Sequence, residues 1–85
     1  MEYLAKIKKI IDDTEDLYIH KSTSDIKNED KIINDLGIDS LGRVTLFYEL
    51  AHEFNIDEDS IDESVCQNWE TVDHIIEFLK DNSNG

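Results

Sequence analysis

Proline is absent from these 85 residues, glycine occurs three times, and cysteine and tryptophan once each. With so few breakers, helical periodicity can run unbroken over long stretches. A lone cysteine, Cys66, excludes an intramolecular disulfide and with it the disulfide-stapled class of small secreted domains. Positive charge is scarce too: eight Lys and Arg stand against 21 Asp and Glu, for a formal charge of -13. Such a surface repels nucleic-acid phosphates and anionic membranes and complements basic protein surfaces. No apolar run approaches transmembrane length and the amino terminus lacks a signal core, so no membrane insertion and a cytoplasmic location are expected. The length suits one domain with a single modest core and a monomer, with no room for a deep substrate pocket besides.

A charge this one-sided repels itself, so salt should stabilise the fold by screening. We expect the melting temperature, followed by circular dichroism, to rise between low and moderate ionic strength. An unchanged value would show that the acids do not strain the folded state.

What is present is apolar periodicity. Leu4, Ile7 and Ile11 recur at helical spacing with Ile10 beside them, which predicts an amphipathic helix over residues 2–16. Thr14 continues the stripe, and Leu17 and Ile19 extend it into the loop. Residues 19–36 are polar, and Ile26, Ile32 and Ile33 are the anchors such a long loop requires. A strand over residues 17–19 would have no partner strand and is rejected. The second helix spans residues 40–55. Leu41, Val44, Tyr48 and Ala51 form one stripe, and Leu46, Phe47, Leu50 and Phe54 a neighbouring one, which places this helix at the centre of the fold. One stripe is then available to a partner or ligand.

After the acidic connector Asp57-Glu58-Asp59, Ser60-Ile61-Asp62-Glu63 fits a capping box that opens a short third helix reaching residue 67. Trp69 follows as a hinge or core anchor. Thr71 is a suitable N-cap for the last helix, with Asp73 in its first turn and Val72, Ile75, Ile76 and Leu79 as its stripe. The expected fold class is all-α, a small four-helix bundle with a long first loop and a short third helix. Residues 1–80 form the domain and 81–85 a frayed polar tail.

The run Leu36-Gly37-Ile38-Asp39-Ser40-Leu41 joins the loop to the second helix. Gly37 permits a turn with positive φ and a close approach by another protein. Asp39 is a good N-cap, which leaves the Ser40 hydroxyl free in the first turn. Backbone N–H groups and the positive helix end there favour a phosphate ester on that hydroxyl. Asp-Ser alone is more often a simple cap. The longer run, one helix before it and two after, and the strong acidity point instead to covalent attachment.

These residues resemble the 4'-phosphopantetheine attachment site of the acyl carrier protein family. The likeness rests on Leu36-Gly37 and Asp39-Ser40-Leu41, continues through Val44, Leu46, Leu50, Phe54 and Ile56, and returns at Thr71-Val72 and Ile75. It implies that Ser40 takes a phosphopantetheine arm from coenzyme A through a phosphopantetheinyl transferase. The arm's thiol would hold acyl or aminoacyl groups as thioesters, for a loading ligase and for synthases or transferases with basic docking patches. Asp39 would help that transferase position its metal and the serine. Arg43, Val44, Tyr48 and His52, with Leu41, would form the docking face, and Leu46, Phe47, Leu50 and Phe54 would line the core or the acyl chain. Such a protein is a substrate of enzymes, not an enzyme. Gly42, Thr45, Ala51 and His52 stand where fatty-acid carriers usually show docking acids, and the usual proline after the second helix is missing. A dedicated lipid, polyketide or aminoacyl pathway is therefore expected. The Asp-Ser-hydrophobe-Gly opening and the late tryptophan also resemble D-alanyl carrier proteins.

The remaining candidates read as structural. Cys66 is a small buried apolar group, and His20, His52 and His74 are too scattered for a metal site. Beside the docking side, His52 would make partner binding pH-sensitive. Starting at Asp57, an EF-hand would need glycine and glutamate where Asp62 and Asn68 stand. Lys6, Lys8 and Lys9 are helix-surface residues. The competing function is a non-covalent acidic interaction module or inhibitor, which explains the charge but not the glycine, acid and serine at a helix start.

Overall fold

A computed structural model describes residues 2–15 and 17–82. Three α-helices form, α1 (Tyr3–Asp13), α2 (Ser40–Glu53) and α3 (Val72–Asn82), and a 3₁₀ helix over Glu63–Asn68 lies between α2 and α3. The all-α, four-helix reading of the sequence holds, with the long first loop and the short third helix in their expected places.

Helix α1 buries Ile7, Ile10 and Ile11, the stripe read from the sequence. It stops at Asp13, earlier than expected, because Thr14 is extended and its hydroxyl donates back to the Ile10 carbonyl at 2.7 Å. Residue 16 lies outside the described residues. Helix α2 is the central element: Leu46, Phe47 and Leu50 are fully buried and Phe54 nearly so. It ends without glycine or proline. Asn55 takes φ 57°, and the Ile56 N–H donates to the Ala51 carbonyl at 2.9 Å. That pairing is a Schellman motif with asparagine in the left-handed position.

The connector departs from the expected capping box. Ser60 belongs to a separate 3₁₀ turn, Glu58–Ser60, and its hydroxyl donates to the Asp57 carbonyl. Asp62 takes over as the cap, accepting from the Ser64 N–H at 3.0 Å, and that bond holds its carboxyl below the usual range. At α3, Thr71 stands immediately before the first helical residue, the N-cap position expected of it, and its carbonyl accepts the His74 N–H at 3.1 Å. His74 Nδ1 accepts from the N–H groups of Glu70 and Thr71, at 3.0 and 3.2 Å.

The first loop docks on the start of α3 and satisfies the donors that a helix N-terminus leaves orphaned. Val72 N–H donates to the Asp30 carbonyl at 3.0 Å, Asp73 N–H to Asn28 at 2.9 Å, and Ile32 N–H to Glu70 at 2.9 Å. Ile26 and Ile32 anchor the loop in the core, but Ile33 is 53% exposed. The bonds from Ile32 N–H to Glu70 and from Ile38 N–H to the Ile32 carbonyl turn Ile32 inward, so its neighbour faces out. Phe47, Trp69 and Phe78 form an aromatic cluster joining α2, the connector and α3, with ring centroids 5.5–6.4 Å apart. Of the tail expected over residues 81–85, Asp81 and Asn82 belong to α3, whose last turn is closed by Asn82 Nδ2 donating to the Phe78 carbonyl; residues 83–85 lie outside the described residues. No helix among the described residues is long and apolar enough to cross a membrane.

Candidate attachment site

The run singled out in the sequence is a turn that delivers Ser40 to the surface. Leu36 and Ile38 are buried, while Asp39, Ser40 and Leu41 are exposed, Leu41 at 75%. Gly37 makes this possible with φ 78°, in a place where a Cβ would collide with the His20 ring. Asp39 is extended and its Oδ1 accepts the Gly42 N–H at 2.8 Å, so it caps α2 as expected and leaves Ser40 as the first helical residue. A Cβ on Gly42 would stand 2.8 Å from Ile38 Cγ2. This glycine lets the buried Ile38 pack under the first turn, which fixes the turn that presents Ser40.

Two shallow hollows flank the serine. One, about 580 Å³, is lined by Leu17, Tyr18, Ile38, Leu41, Gly42 and Thr45 among others. Tyr18, 82% exposed, was missed in the sequence, although alternation would have found it. Leu17 turns in and Ile19 half in, so an extended segment must present Tyr18 outward. The other hollow, about 270 Å³, is lined by Arg43, Trp69, Ile33 and Thr71 among others.

Arg43, expected among the docking residues, does not lie on the exposed face of α2. It is 7% exposed, with its guanidinium turned into the junction of α2 and the 3₁₀ helix. There it donates to the carbonyls of Gln67 and Trp69, to Gln67 Oε1 and to Ser40 Oγ. Gln67 Nε2 in turn donates to the Ser40 carbonyl at 3.3 Å. Nothing in the sequence signalled Gln67, because its partners are 24 and 27 residues away. Ala51, read with the outer stripe, is also buried, at 1% exposure. The exposed stripe of α2 is instead Leu41, Tyr48 and His52, with Val44 and Thr45 half-buried beside it. Tyr48 donates its hydroxyl to Glu63 Oε2, and this bond, with partial burial and nearby acids, pushes the phenol above its ordinary range.

The sequence is 30% identical over 79 residues to the acyl carrier protein of Borreliella burgdorferi strain ZS7, with 93% of this chain and 90% of the relative covered. The acyl carrier protein of strain B31 of the same organism matches equally, over the same shares of both chains. The chain belongs to the acyl carrier protein family. No protein-family model matches it.

Acyl carrier proteins are carriers rather than catalysts, and the other reactive side chains of this one suit that role. Cys66 is fully buried, and burial pushes its thiol up, against the opposing charge of Arg43. A thiol held protonated in the core is a poor nucleophile or thioester acceptor. His20 lies against Gly37, His52 is exposed and His74 caps α3. Among the described residues no group of three or more His, Cys, Asp or Glu converges to hold a metal ion.

Proposed function

We propose that this acyl carrier protein holds acyl or aminoacyl intermediates as thioesters on a 4'-phosphopantetheine arm attached to Ser40. The observation that carries the proposal is the exposed Ser40 hydroxyl in the first turn of a 14-residue helix capped by Asp39. The residues around it fit a phosphodiester. Ser40 opens the helix, where the dipole favours an anion, a guanidinium reaches its oxygen, and that guanidinium retains a buried Nε–H with no partner.

In the attachment step Ser40 Oγ bonds to the phosphorus of the pantetheine side of coenzyme A's pyrophosphate. The bond from that phosphorus to the adenosine bisphosphate breaks, and the hydroxyl proton passes to a base of the phosphopantetheinyl transferase. Once attached, the arm supplies the thiol that forms thioesters. Asp39 holds the first turn in shape through Gly42 N–H, and Gly37 lets the loop turn back beneath it.

Leu41, Val44, Tyr48 and His52, with Thr45, form the face offered to the transferase, a loading ligase and the acyl-processing synthases. Glu49 and Glu53 are the carboxylates of α2, His52 stands on its exposed stripe and Thr45 is half-buried beside it. This thin acidic face supports service in a dedicated lipid, polyketide or related pathway, with the protein acting as a cytoplasmic monomer.

Incubation with coenzyme A, magnesium and a broad-specificity phosphopantetheinyl transferase, followed by intact mass measurement, tests the attachment. Wild type should gain one phosphopantetheine and Ser40→Ala none. No gain with several transferases would overturn the proposal and leave a non-covalent acidic interaction module.

A further inference from the structure

Arg43 is a buried cation without a counter-ion. Its Nη1 donates to the Gln67 and Trp69 carbonyls at 3.2 and 3.3 Å, and its Nη2 to Gln67 Oε1 at 2.9 Å and Ser40 Oγ at 3.3 Å. All four acceptors are uncharged. Nε is buried with no partner. Among the described residues the ion pair found is Lys21–Asp30, so no carboxylate neutralises Arg43 in a chain with 21 acids. A guanidinium stays charged in a protein, and a charge held out of water without a paired anion is costly. What the site lacks is an anion, and Nη2 already reaches the oxygen that would bear one.

We propose that Arg43 is the built-in counter-ion of the phosphodiester on Ser40. This rests on the attachment to Ser40 proposed above. A phosphodiester keeps one negative charge on two non-bridging oxygens, which lie two bonds beyond Ser40 Oγ, across the phosphorus, and so close to Nη2. The planar fork of a guanidinium matches two such oxygens while its remaining N–H groups keep their bonds to Gln67 and Trp69. Attachment of the arm thereby ties the 3₁₀ helix, through Gln67, to the root of the arm. The connector is held more tightly in the loaded form than in the bare one. Lysine does not replace arginine here, because a single ammonium nitrogen lacks the planar fork whose separate nitrogens reach Gln67 and Trp69 on one side and Ser40 on the other.

The test compares unmodified and modified forms of wild type, Arg43→Lys and Arg43→Met at low salt, with modification verified by intact mass. Modified wild type should melt about 5 °C or more above the unmodified protein. The gain should shrink in Arg43→Lys and vanish in Arg43→Met. Because each variant is compared with its own unmodified form, a general loss of stability cancels. Should Arg43→Met fail to fold, NMR of wild type decides by itself: the Arg43 guanidinium N–H resonances should shift and exchange more slowly with water on modification. Unmoved resonances, or an equal melting gain in fully modified Arg43 variants, would overturn the pairing while leaving the attachment intact. Absence of any mass gain would remove the attachment, and the pairing with it.

Discussion

Phe47→Ala should cost about 3–5 kcal/mol, the range for deleting a fully buried aromatic side chain. Phe47 has no exposed surface, and its ring meets Tyr48 at 5.2 Å, Phe78 at 6.0 Å and Trp69 at 6.4 Å. It therefore joins α2 to α3 and to the connector at one point. A domain of this size has roughly 5–15 kcal/mol in total, so the loss takes a large share of it. The expected fall in melting temperature is at least about 12 °C, measured by circular dichroism at fixed ionic strength. Tyr48→Phe serves as the control, since it keeps the ring and removes only the bond to Glu63. The experiment also decides what Phe47 is for. A side chain lining an opening for an acyl chain leaves little void when truncated and costs much less than one packed on every side. A fall of only a few degrees would therefore favour the lining role over the packing role.

The long helices were legible because their stripes depend only on local spacing. Ile7, Ile10 and Ile11 in α1 and Ile75, Ile76 and Leu79 in α3 are buried as the 3.6-residue period requires. The turn that presents Ser40 was legible for the same reason. Glycine with positive φ, an aspartate cap and a first-turn serine are all set within six residues. Readings failed where a distant partner decides the outcome. Ile33 had the composition of an anchor, but two backbone bonds formed by Ile32 and Ile38 turned it outward. Arg43 had the position of a docking residue, yet carbonyls at residues 67 and 69 drew it inside. The Ser60 capping box matched its pattern, but Asp57 captured the Ser60 hydroxyl and Asp62 supplied the cap instead. Ala51 lay at the edge of the outer stripe, and α2 is apolar around so much of its circumference that periodicity could not say which edge faced the core.

Asp30→Ala should destabilise the protein by about 1.5–3 kcal/mol near neutral pH, the range for losing hydrogen bonds to a charged group. Asp30 is 7% exposed, and its Oδ2 accepts from Lys21 Nζ at 2.8 Å and from the Lys27 N–H at 2.9 Å. Its carbonyl receives the Val72 N–H, so the same residue clasps the first loop and the start of α3. The Lys21 side chain is 28% exposed, so solvent weakens the ion pair, and the Lys27 N–H left without an acceptor accounts for much of the cost. The consequence reaches the turn that presents Ser40, because the segment that follows Asp30 supports it. Leu36 N–H donates to the Lys31 carbonyl and Ile38 N–H to that of Ile32, and Ile38 immediately precedes the Asp39 cap. Loosening the clasp should therefore also speed amide exchange across residues 36–38.

The pH dependence has a definite sign. The Lys21 ammonium, then the Lys27 N–H, hold the Asp30 carboxyl below the usual range. A carboxyl depressed on folding contributes stability that is present above its unfolded value, near pH 4, and lost as the pH falls through its folded value. Lys21 is raised by the same bond, so its share persists through neutral pH and is lost only when alkali deprotonates it. The stability of wild type alone will not isolate this effect, since acid also relieves the repulsion among 21 carboxylates. The difference between wild type and Asp30→Ala will. Measured by urea unfolding, it should stay constant from about pH 7 to pH 5 and narrow below about pH 4. A difference that is absent at pH 7, or that persists undiminished in strong acid, would show that the Asp30 carboxylate does not hold the loop to α3.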